Sequence, residues 1–409
     1  MSIGERVKQI IRSVGPGFIV ASAALGPGSI TVASRIGSVY GYAFLWVIVV
    51  AAISMVAYTS MSLRFGISHE RSILQQIAVT YGRWFSVVIG ICAFLSASSF
   101  QFGNNLGIGI AMEGITGVDE RVWPFIFTPL GMLLVFRAGN LYKILEKLMM
   151  GMVMIMILAF LFNLILARPD MGQVAQGFVP KSFSLGDLDV VAALVATTFV
   201  LNGALYQSYL AQDKGWKIAD AKKAQNDTYM GISLLAIISA LVIITSAAVL
   251  NPLGIVVNSA ADMALQLESL FGRYAKVIFS FGLCAAAFSS LMVNAVMGGG
   301  LLSDGLGLGR SMNEKMPKLF TVVILLVGML IAVFFKGNVV YALILAQASS
   351  ILAVPLIAIG ILLIVNRKTV MGKLKNGKLQ NTLAILGFLL ICVMVYFMYA
   401  KIISFIRFL

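Results

Sequence analysis

Long apolar stretches, separated by short charged segments, run along the whole chain. A helix needs about 20 apolar residues, within a range of about 17–25, to cross the hydrocarbon core of a bilayer, and eleven stretches are long enough. Backbone N–H and C=O groups in lipid must be paired within the spanning segment, so each stretch is expected to be a helix. The predicted spans are 15–39, 42–66, 83–115, 122–139, 143–167, 187–211, 226–250, 274–303, 317–336, 338–365 and 379–407.

The composition supports the same interpretation. Hydrophobic residues make up 60% of the chain and charged residues 11%, whereas an ordinary soluble domain has about 45–50% and about 25%. A soluble fold of 409 residues would lack the charge to cover its surface. We therefore predict an all-α integral membrane protein surrounded by the lipid bilayer. The spans contain no nucleophile–base pair and no pair of acids, so no enzyme activity and no cofactor are predicted.

The lysines and arginines are distributed unevenly between the loops. If the N-terminus lies in the cytoplasm, 21 of the 30 fall on the cytoplasmic side and the other 9 outside. This bias follows the positive-inside rule and accounts for the net charge of +14 without a nucleic-acid partner. We expect a cytoplasmic N-terminus, an outer C-terminus and the plasma membrane of a bacterium. A monomer is expected, with an oligomer of unspecified size as the alternative.

Two of the predicted spans contain residues that interrupt helices. The first holds Gly26-Pro27-Gly28-Ser29 at its centre; proline removes a donor and clashes with the preceding turn, and glycine permits positive φ. The sixth holds Leu201-Asn202-Gly203-Ala204, a weaker signal because it lacks proline. Irregular backbone at this depth is tolerated only where it faces protein, ligand or water. Both spans are therefore predicted to be broken helices, although small residues also serve close helix packing.

The two breaks fall at matching places if the chain contains two repeats of five spans. The first repeat would cover 1–168 and the second 187–366, with 379–407 as an extra helix, all within a single transport domain, 1–409. Because the first repeat starts inside and the second outside, the two would be inverted. Paired broken helices in inverted repeats mark a transport site near the bilayer midplane. A transporter is therefore predicted.

Other polar side chains inside the spans have two possible roles. Gln101, Asn104 and Asn105 in the third span are candidates for a hydrophilic pathway beside the site, and Gln347 in the tenth span is a candidate ligand. The alternative is hydrogen bonding between helices. Asp227, at the start of the seventh predicted span, is expected to cap that helix.

Several motifs resemble the NRAMP family of divalent-metal transporters. The opening 14–18, Val-Gly-Pro-Gly-Phe, followed by Gly26-Pro27-Gly28-Ser29, is similar to that family's opening and its DPGN motif. The stretches 41–46 and 284–290 and the pair Ala346-Gln347 resemble its second, eighth and tenth helices. The resemblance extends over nearly the whole chain. It implies the LeuT-type fold, with ten core helices in two inverted repeats and broken helices 1 and 6, plus an extra helix.

The chain departs from the family where the metal is bound. The family's metal-binding aspartate falls on Gly26, its asparagine on Ser29 and its sixth-helix methionine on Leu201. The proline and histidine that follow the methionine fall on Asn202 and Gly203. A thioether selects soft metals, whereas oxygen ligands suit Mg²⁺, Ca²⁺ and Mn²⁺. Without the methionine and the carboxylate, the site would prefer hard ions and bind them weakly.

The family's proton-linked acids in the third helix are also replaced. They fall on Gln101 and Asn104, which are amides. Proton coupling needs titratable groups inside the membrane, so we expect transport without protons. These departures resemble the branch of NRAMP-related magnesium transporters.

The sequence therefore leads to a site with named residues. Its lining is predicted to be Gly26, Gly28, Ser29, Leu201, Asn202, Gly203 and Gln347. Ser29, Asn202 and Gln347 would be the metal ligands, holding hydrated Mg²⁺ or Mn²⁺ by its outer shell. Two alternatives remain open. The same fold could carry a small organic molecule or an anion at half-helix N-termini, or the chain could be a sensor that transports nothing, which would normally need a soluble signalling domain.

Overall fold

The computed structural model describes residues 15–136, 154–155, 157–180 and 188–408, and the regular elements in this part of the chain are all helices. The α-helices are α1 (Pro16–Ala24), α2 (Pro27–Tyr40), α3 (Leu45–Ser68), α4 (Ile73–Tyr81), α5 (Arg83–Thr116), α6 (Pro124–Phe136), α7 (Ile157–Ala167), α8 (Met171–Gly177), α9 (Leu188–Thr198), α10 (Leu201–Asp213), α11 (Ala221–Val249), α12 (Ala260–Ala264), α13 (Glu268–Phe271), α14 (Ala275–Leu306), α15 (Lys315–Phe334), α16 (Val339–Ser350), α17 (Pro355–Val365), α18 (Lys368–Met371) and α19 (Lys378–Phe408). Short 3₁₀ turns lie at Ile218–Asp220, Asn251–Leu253, Leu265–Leu267, Gly272–Tyr274, Ile351–Ala353 and Gly372–Leu374.

The described helices account for nine of the predicted spans. Seven spans are long and apolar enough to cross a membrane, and two bent helix pairs raise the number to nine. The predicted spans 122–139 and 143–167 coincide with the shorter apolar helices α6 and α7. The rest of these two spans falls largely on 137–153, outside the described residues, as does Val14 of the opening motif. The total of eleven therefore stays a prediction.

The first span is broken where the sequence predicts it. Helices α1 and α2 meet at an angle of 59°. Leu25 has φ −77° and ψ 66°, and the Gly26 N–H donates to the Ala24 carbonyl at 2.9 Å, which is the geometry of an inverse γ-turn. Pro27 takes the first position of α2, where its missing N–H costs no helical hydrogen bond. The break does not use the positive φ that glycine permits, since Gly26 has φ −104° and neither it nor Gly28 adopts positive φ.

The sixth span breaks two residues earlier than predicted. Helix α9 ends at Thr198 and α10 begins at Leu201, so Phe199 and Val200 form the break. Val200 is extended, with φ −84° and ψ 90°. Leu201, Asn202 and Gly203 instead form the first turn of α10.

The tenth span, 338–365, is not one continuous helix. Helix α16, extended by the 3₁₀ turn Ile351–Ala353, and helix α17 are bent by 40°. Pro355 is the first residue of α17, and proline there cannot continue the hydrogen bonds of the preceding helix. The break lies seven residues after Gln347, which belongs to α16.

Asp227 caps a helix other than its own. Helix α11 begins at Ala221, before the apolar stretch starts, so Asp227 lies within it. Its Oδ2 accepts a hydrogen bond from the Gly17 N–H of α1 at 2.7 Å. The expectation that it caps the seventh span is therefore wrong, and the carboxylate instead pairs one of the first N–H groups of α1.

The helices pack in two groups with the breaks between them. The broken-helix group comprises α1, α2, α3, α10 and α11, and the long-helix group comprises α5, α14 and α15. Helix α1 contacts α14 across the boundary, while α16 packs against both α2 and α5. All residues in the most apolar stretch of the sixth span are buried, whereas only 28% are buried in the most apolar stretch of the peripheral helix α19. The broken backbone thus faces protein rather than lipid, as membrane depth requires.

Candidate binding site at the helix breaks

Polar side chains of α14 complete the hydrogen bonding of the first break. The Ala23 carbonyl, near the end of α1, accepts hydrogen bonds from Ser290 Oγ and Asn294 Nδ2, each at 2.9 Å. The last carbonyls of a helix have no donor within it. Side chains of α14 therefore supply the hydrogen-bond donors that the Ala23 carbonyl lacks because α1 ends there. These contacts bind α1 of the broken-helix group to the long-helix group.

Gly26 is needed for close approach. A Cβ on Gly26 would lie 2.7 Å from Ser290 Oγ and 3.0 Å from Asn104 Oδ1. Side chains from α14 and α5 therefore occupy the space that a side chain at residue 26 would enter. Lacking a Cβ, glycine lets both polar atoms come close to the backbone of the break.

Gly28 likewise leaves space for the side chain of the predicted ligand Gln347 to approach the backbone. A Cβ on Gly28 would lie 2.1 Å from Gln347 Nε2 and 2.4 Å from its Cδ. A Cβ on Gly103 of α5 would lie 2.9 Å from the same nitrogen. The amide of Gln347 is therefore held between α2 and α5, directly against the break.

Three amide oxygens around this break have no hydrogen-bond partner. They are Asn104 Oδ1, Asn294 Oδ1 and Gln347 Oε1, and each residue is only 1% exposed. Asn104 Nδ2 donates to Gln101 Oε1 at 3.3 Å and Asn294 Nδ2 to the Ala23 carbonyl, which fixes both amides with their oxygens unpaired. Leaving a buried acceptor unpaired costs about 1–3 kcal/mol, so three near one break mark a place where bound water or a ligand would complete the hydrogen bonding.

The other predicted ligands lie at two different places. Ser29 is buried in the first turn of α2 and its Oγ donates to the Gly26 carbonyl at 2.8 Å. Asn202 Nδ2 donates to the Ala93 carbonyl of α5 at 3.1 Å, and its Oδ1 has no partner. Ala93 and Asn104 are eleven residues, or about 16 Å, apart along α5. Among the described residues no hydrogen bond joins Asn202 to Ser29 or Gln347.

The remaining residues of the predicted lining, Leu201 and Gly203, lie at the second break. Leu201 borders a small cavity at the second break, together with Ser96, Phe100, Val200 and Ser350 among others. A Cβ on Gly203 would lie 2.9 Å from a methyl group of Val20 in α1, so this glycine serves helix packing. The structure thus gathers Gly26, Gly28, Ser29, Gln347 and Asn104 at the first break, and leaves Leu201, Asn202 and Gly203 at the second.

Two of the three predicted pathway residues, Gln101 and Asn105, form hydrogen bonds that hold helices together. Gln101 Nε2 donates to the Leu291 carbonyl of α14 at 2.5 Å. Asn105 donates to the Gln101 carbonyl at 3.0 Å and accepts from Thr128 of α6 at 2.8 Å. Of the three, Asn104 alone keeps an unpaired oxygen at the break.

The buried carboxylates of the described residues are Asp189, Asp227 and Asp304. Asp304, which sequence reasoning did not single out, accepts from Tyr209 Oη at 2.6 Å and Gln75 Nε2 at 3.0 Å, and also from Ser72 Oγ. These contacts connect α14 to α10 and α4. In the described part of the chain, no three His, Cys, Asp or Glu residues cluster in a way that could hold a metal ion.

Comparison with known proteins agrees with this architecture. The family model for NRAMP, natural resistance-associated macrophage protein-like, matches residues 17–401. A divalent metal cation transporter, MntH, of Caldanaerobacter subterraneus is 24% identical over 391 residues, covering 94% of this chain and 91% of the relative. MntH of Deinococcus radiodurans is 26% identical over 381 residues, covering 90% and 85%.

Solved structures share the fold. The manganese transporter of Eremococcus coleocola superposes with a TM-score of 0.77 at 18% identity, covering 97% of this chain and 88% of that one. MhsT, solved in complex with L-phenylalanine, has a TM-score of 0.62 at 13% identity, covering 94% of this chain and 97% of that one. The all-α LeuT-type membrane fold is therefore confirmed. With a family match over nearly its whole length, the protein belongs to the NRAMP family of integral membrane transporters, which are not enzymes.

Proposed function

We propose that this protein moves divalent cations, Mg²⁺ or Mn²⁺, by alternating access and without proton coupling. The observation that carries the proposal is the set of three buried, unpaired amide oxygens of Asn104, Asn294 and Gln347 around the first break. Amide oxygens are acceptors only and suit hard cations. The relatives named as divalent metal cation transporters support the same substrate class.

The donor set favours hard ions over soft ones. Leu201, at the position of the family's methionine, is fully buried and offers no thioether. Oxygen donors without thioether or thiolate suit Mg²⁺ and Mn²⁺. Mg²⁺ also gives up its waters reluctantly, which fits a site that has no carboxylate to compensate dehydration.

The distribution of acids supports uncoupled transport. Gln101 and Asn104 stand where the family has proton-linked acids. Two of the three described buried carboxylates pair elsewhere: Asp227 with the start of α1, and Asp304 with Tyr209 and its neighbours. A proton path inside a membrane needs titratable groups along it, and the amides at the break supply none.

The proposal includes an orientation and a repeat structure. The N-terminus would lie in the cytoplasm of a bacterium and the C-terminus outside, as the lysine and arginine bias favours. Residues 1–168 and 187–366 would be the two inverted repeats, with 379–407 as an extra helix.

A second candidate keeps the fold and changes the substrate. The first turns of α2 and α10 present N–H groups without helical acceptors at the two breaks, and helix N-termini attract negative charge. These would suit an anion or the carboxylate of a small organic molecule. A thermal-shift panel of metal ions against organic acids separates the candidates, because a ligand stabilises the protein that binds it.

The test is flux into proteoliposomes that contain a metal-sensitive dye and a pH-sensitive dye. We expect Mg²⁺ or Mn²⁺ uptake at equal rates with and without a pH gradient, and a lumen that keeps its pH. Gln347→Ala should slow uptake, whereas Leu345→Ala, on the exposed side of the same helix, should not. Absence of uptake of either ion by the wild type refutes the cation proposal. Lumen acidification that follows metal uptake refutes uncoupled transport.

A further inference from the structure

A cavity of about 470 Å³ opens between the ends of three helices, far from the helix breaks in the sequence. Helix α17 packs against both α4 and α19, and the cavity lies where α4 and α17 end and α19 begins. Its polar wall includes Asn366, Arg367 and Asn381, and its apolar wall includes Leu363 and Ile385. We propose that this cavity binds the headgroup of an anionic phospholipid. The lipid site is independent of which solute the protein transports.

The apolar wall of the cavity continues the surface that faces the bilayer. Leu363 is 39% exposed and Ile385 is 52% exposed, and both lie on helices that are apolar enough to cross a membrane. Tyr81 ends α4, and the exposed Trp84 follows at the start of α5. Tyrosine and tryptophan are enriched at the level of the lipid headgroups. The cavity therefore opens at headgroup level, where an acyl chain can lie along α17 and α19.

The charges around the cavity favour an anion. Segment 366–378, between α17 and α19, contains five lysines and arginines and no acid, and Arg367 is the one among them that lines the cavity. Its Nε donates to Thr369 Oγ1 at 3.1 Å, and its guanidinium carbon lies 5.3 Å from the centre of the Tyr81 ring. The hydrogen bond and the cation–π contact hold the guanidinium in place. A guanidinium binds phosphate through two parallel N–H donors, so Arg367 is suited to the phosphate of a lipid.

The lining distinguishes an anionic lipid from other occupants. A zwitterionic headgroup would bring an ammonium group beside Arg367, and neither segment 366–378 nor the lining of the cavity in the described part of the chain contains a carboxylate to pair with it. A soluble anion would leave the exposed apolar wall uncovered, whereas a phospholipid covers it with an acyl chain. Clusters of lysine and arginine next to a membrane attract anionic lipids in general. Arg367 turns this general attraction into a defined site.

The test is the melting temperature of the purified protein in detergent micelles, titrated with phosphatidylglycerol, with phosphatidylcholine or with inorganic phosphate. A ligand that binds the folded protein raises its melting temperature, and we expect this of phosphatidylglycerol alone. Arg367→Gln should weaken the apparent affinity for phosphatidylglycerol by about tenfold, because two charge-assisted hydrogen bonds are lost. The matched control is Lys373→Gln, which removes the same charge from the same segment outside the cavity. In about 0.15 M salt, which screens exposed charges, it should keep the affinity of the wild type within about twofold.

A second pair of variants tests the apolar wall and replaces the first pair if Arg367→Gln is not monodisperse. Ile385→Trp fills the cavity and should weaken phosphatidylglycerol binding several-fold. Leu389→Trp, one turn further along α19 and 53% exposed, lies outside the cavity and should not. Equal affinities within either pair of variants overturn the lipid site. Equal stabilisation by phosphatidylcholine overturns its selectivity for an anionic lipid, and equal stabilisation by inorganic phosphate shows a site for soluble anions instead.

Discussion

A single methyl group at residue 28 would enter the centre of the proposed site. In Gly28→Ala the new Cβ would lie 2.1, 2.4 and 2.6 Å from Nε2, Cδ and Cγ of Gln347. All three distances are well below van der Waals contact. Gln347 is 1% exposed and also close to Gly103, so its side chain cannot swing into open space.

The magnitude follows from two opposing effects. Overfilling a packed interior costs about 1–3 kcal/mol, and three contacts this short place Gly28→Ala at the upper end. Alanine in place of glycine in a helix returns about 1 kcal/mol. We therefore expect the free energy of unfolding to fall by about 2 kcal/mol, and uptake to be lost because the amide of Gln347 is displaced.

Gly300→Ala is the matched control. Gly300 is also a buried glycine in a spanning helix, but the nearest atom to its Cβ would be a Tyr206 ring carbon at 3.8 Å, an ordinary contact. Thermal unfolding in detergent and uptake in proteoliposomes should separate the two variants. In addition, the Gln347→Ala background should remove the stability loss of Gly28→Ala, since the two residues are coupled by contact. Equal melting temperatures and equal uptake in Gly28→Ala and Gly300→Ala would refute this reasoning.

Three further predictions concern other parts of the molecule. Tyr209→Phe removes a hydrogen bond to the buried carboxylate of Asp304 and should lower the free energy of unfolding by about 1–3 kcal/mol, measured by thermal unfolding. Asp227→Ala leaves the Gly17 N–H without its acceptor and should cost about 1–2 kcal/mol, as for other lost caps. Burial and neighbouring carboxylates raise the pKa of Glu120, in a loop, to about 7. Its contribution to stability is complete below the unfolded pKa near 4.5 and is lost as pH rises through about 7, so Glu120→Gln should melt higher than wild type above pH 7 and equally at pH 4.

Each of these predictions has a comparison that can contradict it. Tyr399, 60% exposed on α19, is the control tyrosine, and Tyr399→Phe should leave the melting temperature unchanged. Asp213→Ala, at an exposed site at the end of α10, is the control for Asp227→Ala. Equal losses of stability in the two tyrosine variants, or in the two aspartate variants, would contradict the proposed contribution of the corresponding hydrogen bond. A melting difference between Glu120→Gln and wild type that is the same at pH 4 and pH 8 would contradict the raised pKa.

The sequence predicts the features that depend on local chemistry. Glycine and proline in 26–29 mark the first break because proline cannot continue a helix. The sixth break lies outside Leu201-Asn202-Gly203-Ala204 because no proline fixes it and Val200 adopts the extended conformation instead. The tenth break also has a local signal, Pro355. The stretch around it is apolar without interruption, however, and therefore predicts one continuous span.

The composition of the site depends on contacts that local patterns do not contain. Asn294 and Ser290 meet the first break through the Ala23 carbonyl, across sequence separations of 271 and 267 residues. Their role follows only from the packing of α14 on α1. Similarly, the sequence places Asn104 and Asn105 side by side as equivalent amides, and only their partners distinguish them. Gln347 is predicted from its polar side chain in an apolar span and from the resemblance of Ala346-Gln347 to the NRAMP family.

The central claim is that a divalent cation binds at the first break, among the amide oxygens of Asn104, Asn294 and Gln347. The most direct measurement is anomalous diffraction from crystals soaked in Mn²⁺. The account predicts one peak inside the protein, beside Gly26 and Gly28 and separated from the three amide oxygens by a shell of water. A peak at the second break beside Asn202, or an empty first break at saturating Mn²⁺, would contradict it.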